Sequence, residues 1–246
     1  MSAELDFALE LADAADAISL PRFGARDLRV ERKPDLTPVT DADRAIEQAL
    51  RELVAERRPV EGVFGEENGG ATDGVRWIVD PIDGTKNFVR GIPVWATLIA
   101  LARGDELVLG VVSAPALGRR WWAARGEGAY CNGAPIRVSA VSRLADAAVS
   151  VALASDLAAL EDTSWHARSL GDFWQHVLVA EGALDAAIDY PLQLWDFAAL
   201  VPIVEEAGGR AASRDGGAPR PGEQFVTSNG ALHDELASER AARPHR

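Results

Sequence analysis

The chain has 246 residues, 48% of them hydrophobic and 26% charged, and a formal net charge of −13 at pH 7. This charge argues against a nucleic-acid partner, and the absence of an apolar run of ~18 residues argues against a membrane span. The single cysteine, Cys131, excludes an intrachain disulfide and a zinc site of several thiolates. We therefore expect a globular, cytoplasmic protein.

The N-terminal half begins with helical patterns and continues with strands. Apolar residues at helical spacing predict a helix over residues 5–23, and a second helix begins at Asp41 with Thr40 as its N-cap. Between these helices, the loop of residues 27–38 suits a mobile lid. Short apolar runs predict strands at residues 63–64, 77–79, 96–101, 107–112 and 119–124.

After residue 135, strands and helices alternate. This mixed order predicts layered sheets and helices in two lobes, residues 1–138 and 139–246, with a frayed tail at 241–246. The predicted strands are residues 148–153, 184–189, 210–213 and 225–228. The predicted helices are residues 156–161, 173–182, 195–207 and a last one from about residue 232.

The segment WIVDPIDGTKNF, residues 77–88, carries two carboxylates around a proline turn. A buried strand is predicted to end at Asp80, and Asp83 lies three residues further on. These two carboxylates and the Ile82 carbonyl can converge on one point, and such oxygen ligands suit Mg²⁺. The amides of Gly84 and Thr85, at a predicted helix start, would bind an anion.

Further carboxylates accompany this motif. The motif alone would be weak evidence for a metal site, because Asp and Gly are ordinary turn residues. Glu66 follows a short predicted strand, and Asp196 opens an apolar helix, where its alternative role is an N-cap. Two Mg²⁺ ions held by such groups could polarise a phosphoryl oxygen and activate a water molecule, which Thr85 and Asp41 would orient. No GxSxG elbow, histidine triad or HExxH motif is present.

Several segments together resemble the signature motifs of the inositol monophosphatase family, in matching order over nearly the whole chain. The segments are DLTPVTDAD at residues 35–43, GEE at 65–67, DPIDGTKNF at 80–88, WDFAAL at 195–200 and EEAGG at 205–209. The resemblance implies a layered α/β fold, the five-layer αβαβα sandwich shared with fructose-1,6-bisphosphatase. It also implies a homodimer that hydrolyses a phosphomonoester with metal-activated water.

The resemblance implies roles for single residues and two or three Mg²⁺ ions per active site, with Mn²⁺ as a substitute. The metal ligands would be Glu66, Asp80, the Ile82 carbonyl, Asp83 and Asp196, with Asp41 near a third metal position. Glu66, Asp41 and Thr85 would position the water. Asp83, Gly84, Thr85 and Asp196 would contact the substrate at its phosphate end.

Within the family, the segments at residues 31–43, 89–101 and 171–200 are closely similar to the histidinol-phosphate phosphatases, which act in histidine biosynthesis. This similarity implies that Arg168, Asp172 and Asp189 form the substrate end of the site. The ammonium and protonatable imidazole of L-histidinol phosphate would pair with the two carboxylates, whereas a neutral cyclitol would not. Arg168 would neutralise Asp172 or Asp189, or else bridge the lobes.

Two alternatives stay open. The first is a phosphatase for inositol 1-phosphate, a sugar bisphosphate or a nucleotide 3′-phosphate. The second is a non-catalytic binding partner in transcription or RNA processing, against which the intact carboxylate set argues. A calcium-binding role is disfavoured because the chain has no EF-hand spacing.

Overall fold

The computed structural model describes residues 2–236, except for the side chains of residues 154–156 and 159. The helices are α1 (Ala3–Arg22), α2 (Asp41–Arg57), α3 (Thr85–Arg90), α4 (Ala154–Glu161), α5 (Asp172–Ala180), α6 (Leu194–Phe197) and α7 (Leu200–Glu206). Two 3-10 turns lie at Pro115–Leu117 and Leu144–Asp146. Within the described residues, no helix has the length and apolar composition needed to cross a bilayer.

The strands form two large sheets and a small hairpin. They are β1 (Val30–Arg32), β2 (Pro38–Thr40), β3 (Gly62–Gly65), β4 (Gly69–Gly70), β5 (Val75–Asp83), β6 (Ala96–Arg103), β7 (Glu106–Ala114), β8 (Arg119–Ala124), β9 (Gly128–Cys131), β10 (Ala134–Pro135), β11 (Ala148–Val151), β12 (His166–Arg168), β13 (Ala186–Leu192), β14 (Arg210–Ser213) and β15 (Glu223–Ser228).

The first sheet has the order β10-β9-β8-β7-β6-β5-β3-β4 and is antiparallel except where β3 runs parallel to β5. The second has the order β12-β11-β13-β15-β14, in which β11, β12 and β13 are parallel. The carboxyl ends of these three strands therefore share one edge. β1 and β2 pair as a separate hairpin.

Helices and sheets alternate in five layers. α1 and α2 cover one face of the first sheet, where apolar side chains such as Trp77 and Leu50 pack together. α5, α6 and α7 fill the space between the two sheets, and α4 covers the outer face of the second sheet. This arrangement confirms the predicted αβαβα sandwich.

Most predicted elements are confirmed, but the prediction of one continuous helix over residues 195–207 is wrong. The two N-terminal helices are present, and the second has the predicted N-cap, with Thr40 and Asp43 forming a capping box. The helix predicted over residues 195–207 is split into α6 and α7. Pro202 explains the split, because it has no N–H to donate to the Ala198 carbonyl.

The end of the chain is only partly described. Residues 233–236 are helical, whereas the rest of the predicted last helix and the tail of residues 241–246 lie outside the described residues. The predicted lobe boundary at residue 138 falls between β10 and β11. In chain order, β10 is the last strand of the first sheet and β11 is the first strand of the second. As a division into lobes it stays a prediction, because the helices between the sheets pack against both.

The contact between β7 and the α6–α7 junction generates a stability prediction. A Cβ atom added at Gly110 would lie 2.1 Å from the Ala199 carbonyl oxygen. Gly110→Ala should therefore lower the free energy of unfolding, measured in urea, by about 3 kcal/mol. As a control, Gly118→Ala adds a methyl in open space at φ +63° and should lower it by about 1 kcal/mol. A smaller loss at Gly110 than at Gly118 would contradict this packing.

Candidate active site

A bulge in β5 brings two carboxylates to one face of the sheet. Residues three apart on a regular strand would point to opposite faces. Three residue steps on β5, from Asp80 to Asp83, face only two steps on β6, so β5 contains one extra residue. The extra residue changes which side chains share a face of the sheet. Ile82 packs in the same hydrophobic cluster as Val79, three residues earlier, whereas Ile78 packs on the other face.

Hydrogen bonds hold the bulge. The Pro81 carbonyl accepts a bond from Thr97 Oγ1 at 2.7 Å, and Asp80 Oδ1 accepts one from the Ile82 amide at 3.0 Å. The strand predicted to end at Asp80 therefore continues to Asp83. Pro81 does not end it, because a bulge tolerates a residue that cannot donate to the ladder.

Asp196 joins the two carboxylates of β5. One oxygen from each of Asp80, Asp83 and Asp196 lies within 4.8 Å of the others. Asp196 is the third residue of α6, and its Oδ2 accepts the Gln193 amide at 2.7 Å. The N-cap of α6 is thus Gln193 and not Asp196. Asp196 takes part in the cap from the third helical position, by accepting the Gln193 amide in a capping box.

Burial raises the pKa of all three carboxyls. At Asp80 the neighbouring Glu66 and Asp83 add to the effect of burial, and at Asp83 the neighbouring Asp172 and Asp196 do so. Burial, with Glu66 nearby, raises the pKa of Asp196 to about 7. Mutually repelling buried carboxylates match a divalent cation, because their oxygens are the hard ligands that Mg²⁺ prefers. The residues present therefore fit the predicted metal.

Glu66 leaves the end of β3 beside this cluster. Its amide donates to the Val79 carbonyl at 3.2 Å, which places Glu66 next to Asp80 across the parallel pair of strands. Its Oε1 lies 2.6 Å from Lys33 Nζ, which also lies 2.6 Å from Glu67 Oε1. Since Lys33 belongs to the β1–β2 connection, the predicted lid loop contacts the site here.

Glu47 of α2 holds the segment that carries Glu66. Its buried carboxylate accepts the Glu67 amide at 2.7 Å and the Asn68 amide at 3.1 Å, and it pairs with Arg51 at 2.7 Å. Reasoning from the sequence missed Glu47. The available signal is its spacing of four residues from Arg51 on the buried side of α2.

The Gly84-Thr85 step connects β5 to α3. Gly84 has φ +78°, and a Cβ atom there would lie 3.1 Å from the Val94 carbonyl oxygen, so the position requires glycine. Thr85 Oγ1 donates to the Ile82 carbonyl at 2.9 Å. Because this bond uses the hydroxyl proton, the Thr85 oxygen is left as an acceptor.

The start of α5 is hydrogen-bonded directly to the carboxylate cluster of Asp80, Asp83 and Asp196. Phe173 donates its amide to Asp83 Oδ2 at 2.7 Å, and Asp172 Oδ2 accepts Asn87 Nδ2 at 3.1 Å. Asp172 has φ +51°, a left-handed conformation that is uncommon for residues other than glycine. Such backbone strain persists where the surroundings impose it, often at functional sites.

Asp189 lies behind Asp172 and is only 5% exposed. Its Oδ2 accepts Gln175 Nε2 at 2.6 Å, and its Oδ1 accepts the Tyr190 amide at 2.7 Å. Burial, reinforced by the Asp189 carboxylate, raises the pKa of Asp172 to about 6. The two predicted substrate carboxylates therefore interact electrostatically, although only Asp172 lines the cleft described next.

A cleft of about 350 Å³ joins these groups. Its walls are the three clustered carboxylates with Glu66, the 84–87 segment, Asp172, and Asp35 and Thr37 from the lid loop. A larger cavity of about 520 Å³ lies against the second sheet, but its Arg220 is already paired with Asp215 and Glu223. The acidic cleft is thus the candidate active site.

Besides Asp189, two further predicted site residues lie away from the cleft walls. Asp41 begins α2, and its Oδ2 is paired with Arg22 at 2.8 Å. Arg168 ends β12 with an exposed side chain, and within residues 2–236 it forms no ion pair. Neither predicted pairing of Arg168, with a substrate carboxylate or across the lobes, is observed.

The layered fold and the acidic cleft define a metal-dependent phosphatase. The model of the inositol monophosphatase family matches residues 1–245, and the chain belongs to that family. The predicted family and the predicted class of enzyme are thereby confirmed.

Individual relatives agree over nearly the full chain. A histidinol-phosphatase of Mycobacterium tuberculosis is 53% identical over 249 residues, which cover 95% of this chain and 96% of that protein. The structure of an inositol monophosphatase (IMPase) of Thermotoga maritima has a TM-score of 0.90 at 31% identity and covers 98% of each chain. An IMPase/NADP phosphatase complexed with Mg²⁺ and phosphate has a TM-score of 0.86 at 26% identity, covering 98% of this chain and 95% of that chain.

Mg²⁺ should stabilise the fold more at pH 8 than at pH 6. Between its ordinary pKa of 3.8 and about 7, Asp196 keeps a proton in the folded protein that the unfolded chain has released. Stability of the metal-free protein should therefore fall as pH rises through this range. At pH 6 Mg²⁺ must also displace protons, which reduces its effect. Thermal unfolding in EDTA and in Mg²⁺ at both pH values measures this.

Two variants control this measurement. Asp196→Asn removes one titrating charge of the cluster, so the metal-free protein should depend less on pH and gain little from Mg²⁺. Asp146→Asn removes an exposed carboxylate and should behave like the unmodified chain. An undiminished gain from Mg²⁺ in Asp196→Asn would contradict a metal site at this position.

Proposed function

We propose that the chain hydrolyses L-histidinol phosphate to L-histidinol and phosphate, a step of histidine biosynthesis. The observation that carries the proposal is the pair Asp172 and Asp189 beside the carboxylate cluster. A neutral substrate would bring no positive charge to this acidic pair, of which Asp189 is buried. The ammonium and imidazole of histidinol phosphate supply opposite charge. The 53% identity to a histidinol-phosphatase supports the same substrate.

The proposal assigns two or three Mg²⁺ ions to the cleft, with Mn²⁺ as a substitute. When bound, Mg²⁺ would supply the positive charge that polarises a phosphoryl oxygen and makes a water molecule more acidic. The proposal also assigns Asp41, which is paired with Arg22 in the structure, to a third metal position. The proposed ligands are Glu66, Asp80, the Ile82 carbonyl, Asp83 and Asp196.

The protein's own groups orient the water and the phosphate. Thr85, whose hydroxyl proton is donated to Ile82, accepts a hydrogen bond from the water and so fixes its direction. Glu66 and Asp41 share this positioning role in the proposal. The amides of Gly84 and Thr85 hold the phosphate, with Asp83 and Asp196 nearby, while Arg168 stays a predicted substrate contact at the rim.

We also infer a homodimer, as the family resemblance implies, and a cytoplasmic location, as the composition and the single cysteine indicate. Light scattering on the purified protein tests the dimer directly. The complete set of carboxylates supports catalysis over a purely structural role as a binding partner. If abolishing the metal site with Asp83→Asn left the cellular phenotype unchanged, that alternative would gain support.

The hydroxyl of Thr85 gives the first kinetic prediction. Thr85→Ala should lower kcat by roughly 100-fold and change KM little, because the hydroxyl acts on the water and not on substrate affinity. Thr85→Ser keeps the hydroxyl and should restore most of the rate. Steady-state kinetics distinguish the roles, since an effect confined to KM would assign Thr85 to phosphate binding.

The substrate assignment is tested by comparing kcat/KM for histidinol phosphate and inositol 1-phosphate in Mg²⁺. We expect a preference for histidinol phosphate, and the opposite preference would replace it with the alternative phosphatase function. Asp172→Asn and Asp189→Ala should both reduce this preference while sparing hydrolysis of p-nitrophenyl phosphate. Asp215→Ala, which removes an exposed carboxylate paired with Arg220, is the control.

A further inference from the structure

A buried hydrogen-bonded network lies behind Asp189 and has no role in the reaction as described so far. Its central members, Gln175 and His176, are adjacent on α5 and completely buried. Ser150 on β11 and Thr227 on β15 are also completely buried and contact them. Each polar group buried in a core needs a hydrogen-bond partner. The donor and acceptor roles in this network therefore show how each side chain is oriented.

Gln175 is held in one orientation. Its Oε1 accepts Ser150 Oγ at 2.7 Å, and Ser150 Oγ in turn accepts the Leu170 amide at 3.1 Å. Since the amide of Leu170 can only donate, the hydroxyl proton of Ser150 is committed to Gln175. The Gln175 Nε2 group therefore points to Asp189 Oδ2, 2.6 Å away. Rotating the amide by 180° would set its carbonyl oxygen against Asp189 Oδ2, which as a carboxylate oxygen can only accept, and would lose that bond.

His176 closes the other side of the Asp189 carboxylate. Its Nδ1 lies 2.8 Å from Thr227 Oγ1, and its Nε2 lies 3.5 Å from Asp189 Oδ2. Its ring packs against Phe225 with 4.8 Å between the ring centroids. The space behind Asp189 is thus filled by groups that are themselves fixed.

We propose that Gln175 is a specificity-determining positioning residue, which holds Asp189 as a fixed anion behind Asp172. The inference rests on the proposed function. A carboxylate that is 5% exposed has lost most of its hydration and needs hydrogen-bond donors to keep its charge. Gln175 and the Tyr190 amide supply those donors.

The fixed anion acts on the substrate without touching it. Asp172 lines the cleft at the start of α5, and Gln175, three residues further along the same helix, donates to Asp189, so one turn of α5 connects the two carboxylates. In a medium of low dielectric constant, a second negative charge strengthens the attraction for a cation bound at Asp172. Gln175 therefore favours substrates with a positive charge distal to the phosphate.

The test uses Gln175→Met, which has similar length but lacks the donor. The ratio of kcat/KM for histidinol phosphate to kcat/KM for p-nitrophenyl phosphate should fall about tenfold, mainly through KM for histidinol phosphate. Ser150→Ala frees the other end of the amide and should reduce the same ratio about threefold. This second variant carries the test if Gln175→Met does not fold.

A double-mutant cycle with Asp189→Asn separates positioning from general packing. If Gln175 acts through Asp189, Gln175→Met should lower the ratio no further in the Asp189→Asn background. Independent losses in the double variant, or equal losses on both substrates, would overturn the inference and leave the proposed function intact. An unmodified enzyme that prefers inositol 1-phosphate over histidinol phosphate would overturn both.

Discussion

Repulsion among closely spaced, poorly hydrated carboxylates is the constraint on which this structure depends. Asp80, Asp83 and Asp196 keep oxygens within 4.8 Å of one another although burial raises the pKa of each. Such a cluster opposes folding unless a cation offsets it, so the surroundings must hold it in place. The bulge in β5, the capping bond in α6 and the Phe173 amide do so from different elements. The site therefore forms only when the sheet and the helical layer behind it are packed together.

The parts of the site carried by local sequence could be predicted. The Thr40 cap is recognisable because its geometry is set by residues next to it in the chain. The bulge was not recognisable. A strand ending at Asp80 and a strand continuing to Asp83 have the same local pattern, and only the pairing with β6 distinguishes them. The proposed metal ligands nevertheless come as a set from the resemblance to the family, which does not depend on knowing the bulge.

Contacts between distant segments could not be predicted from the sequence. Arg168 lies close in the chain to Asp172, which made an ion pair attractive, but β12 is an edge strand and its arginine points to solvent. Glu47 is one of many charged residues on α2, and Gln175 is one of two adjacent polar residues inside α5. The local sequence does not show which distant groups each of them contacts. In such cases, the partner is set by how layers pack and not by the helix that carries the residue.

The distribution of charge explains why this cleft should orient a zwitterionic substrate. Lys33 already pairs with Glu66 and Glu67, and a divalent cation would offset the central cluster. Throughout residues 2–236, neither Asp172 nor Asp189 forms an ion pair with a lysine or arginine. A phosphate bound at the metal end then places a distal cation at the acidic end. The reversed orientation would set phosphate against carboxylate and cation against metal, so electrostatics at both ends favours one direction of binding.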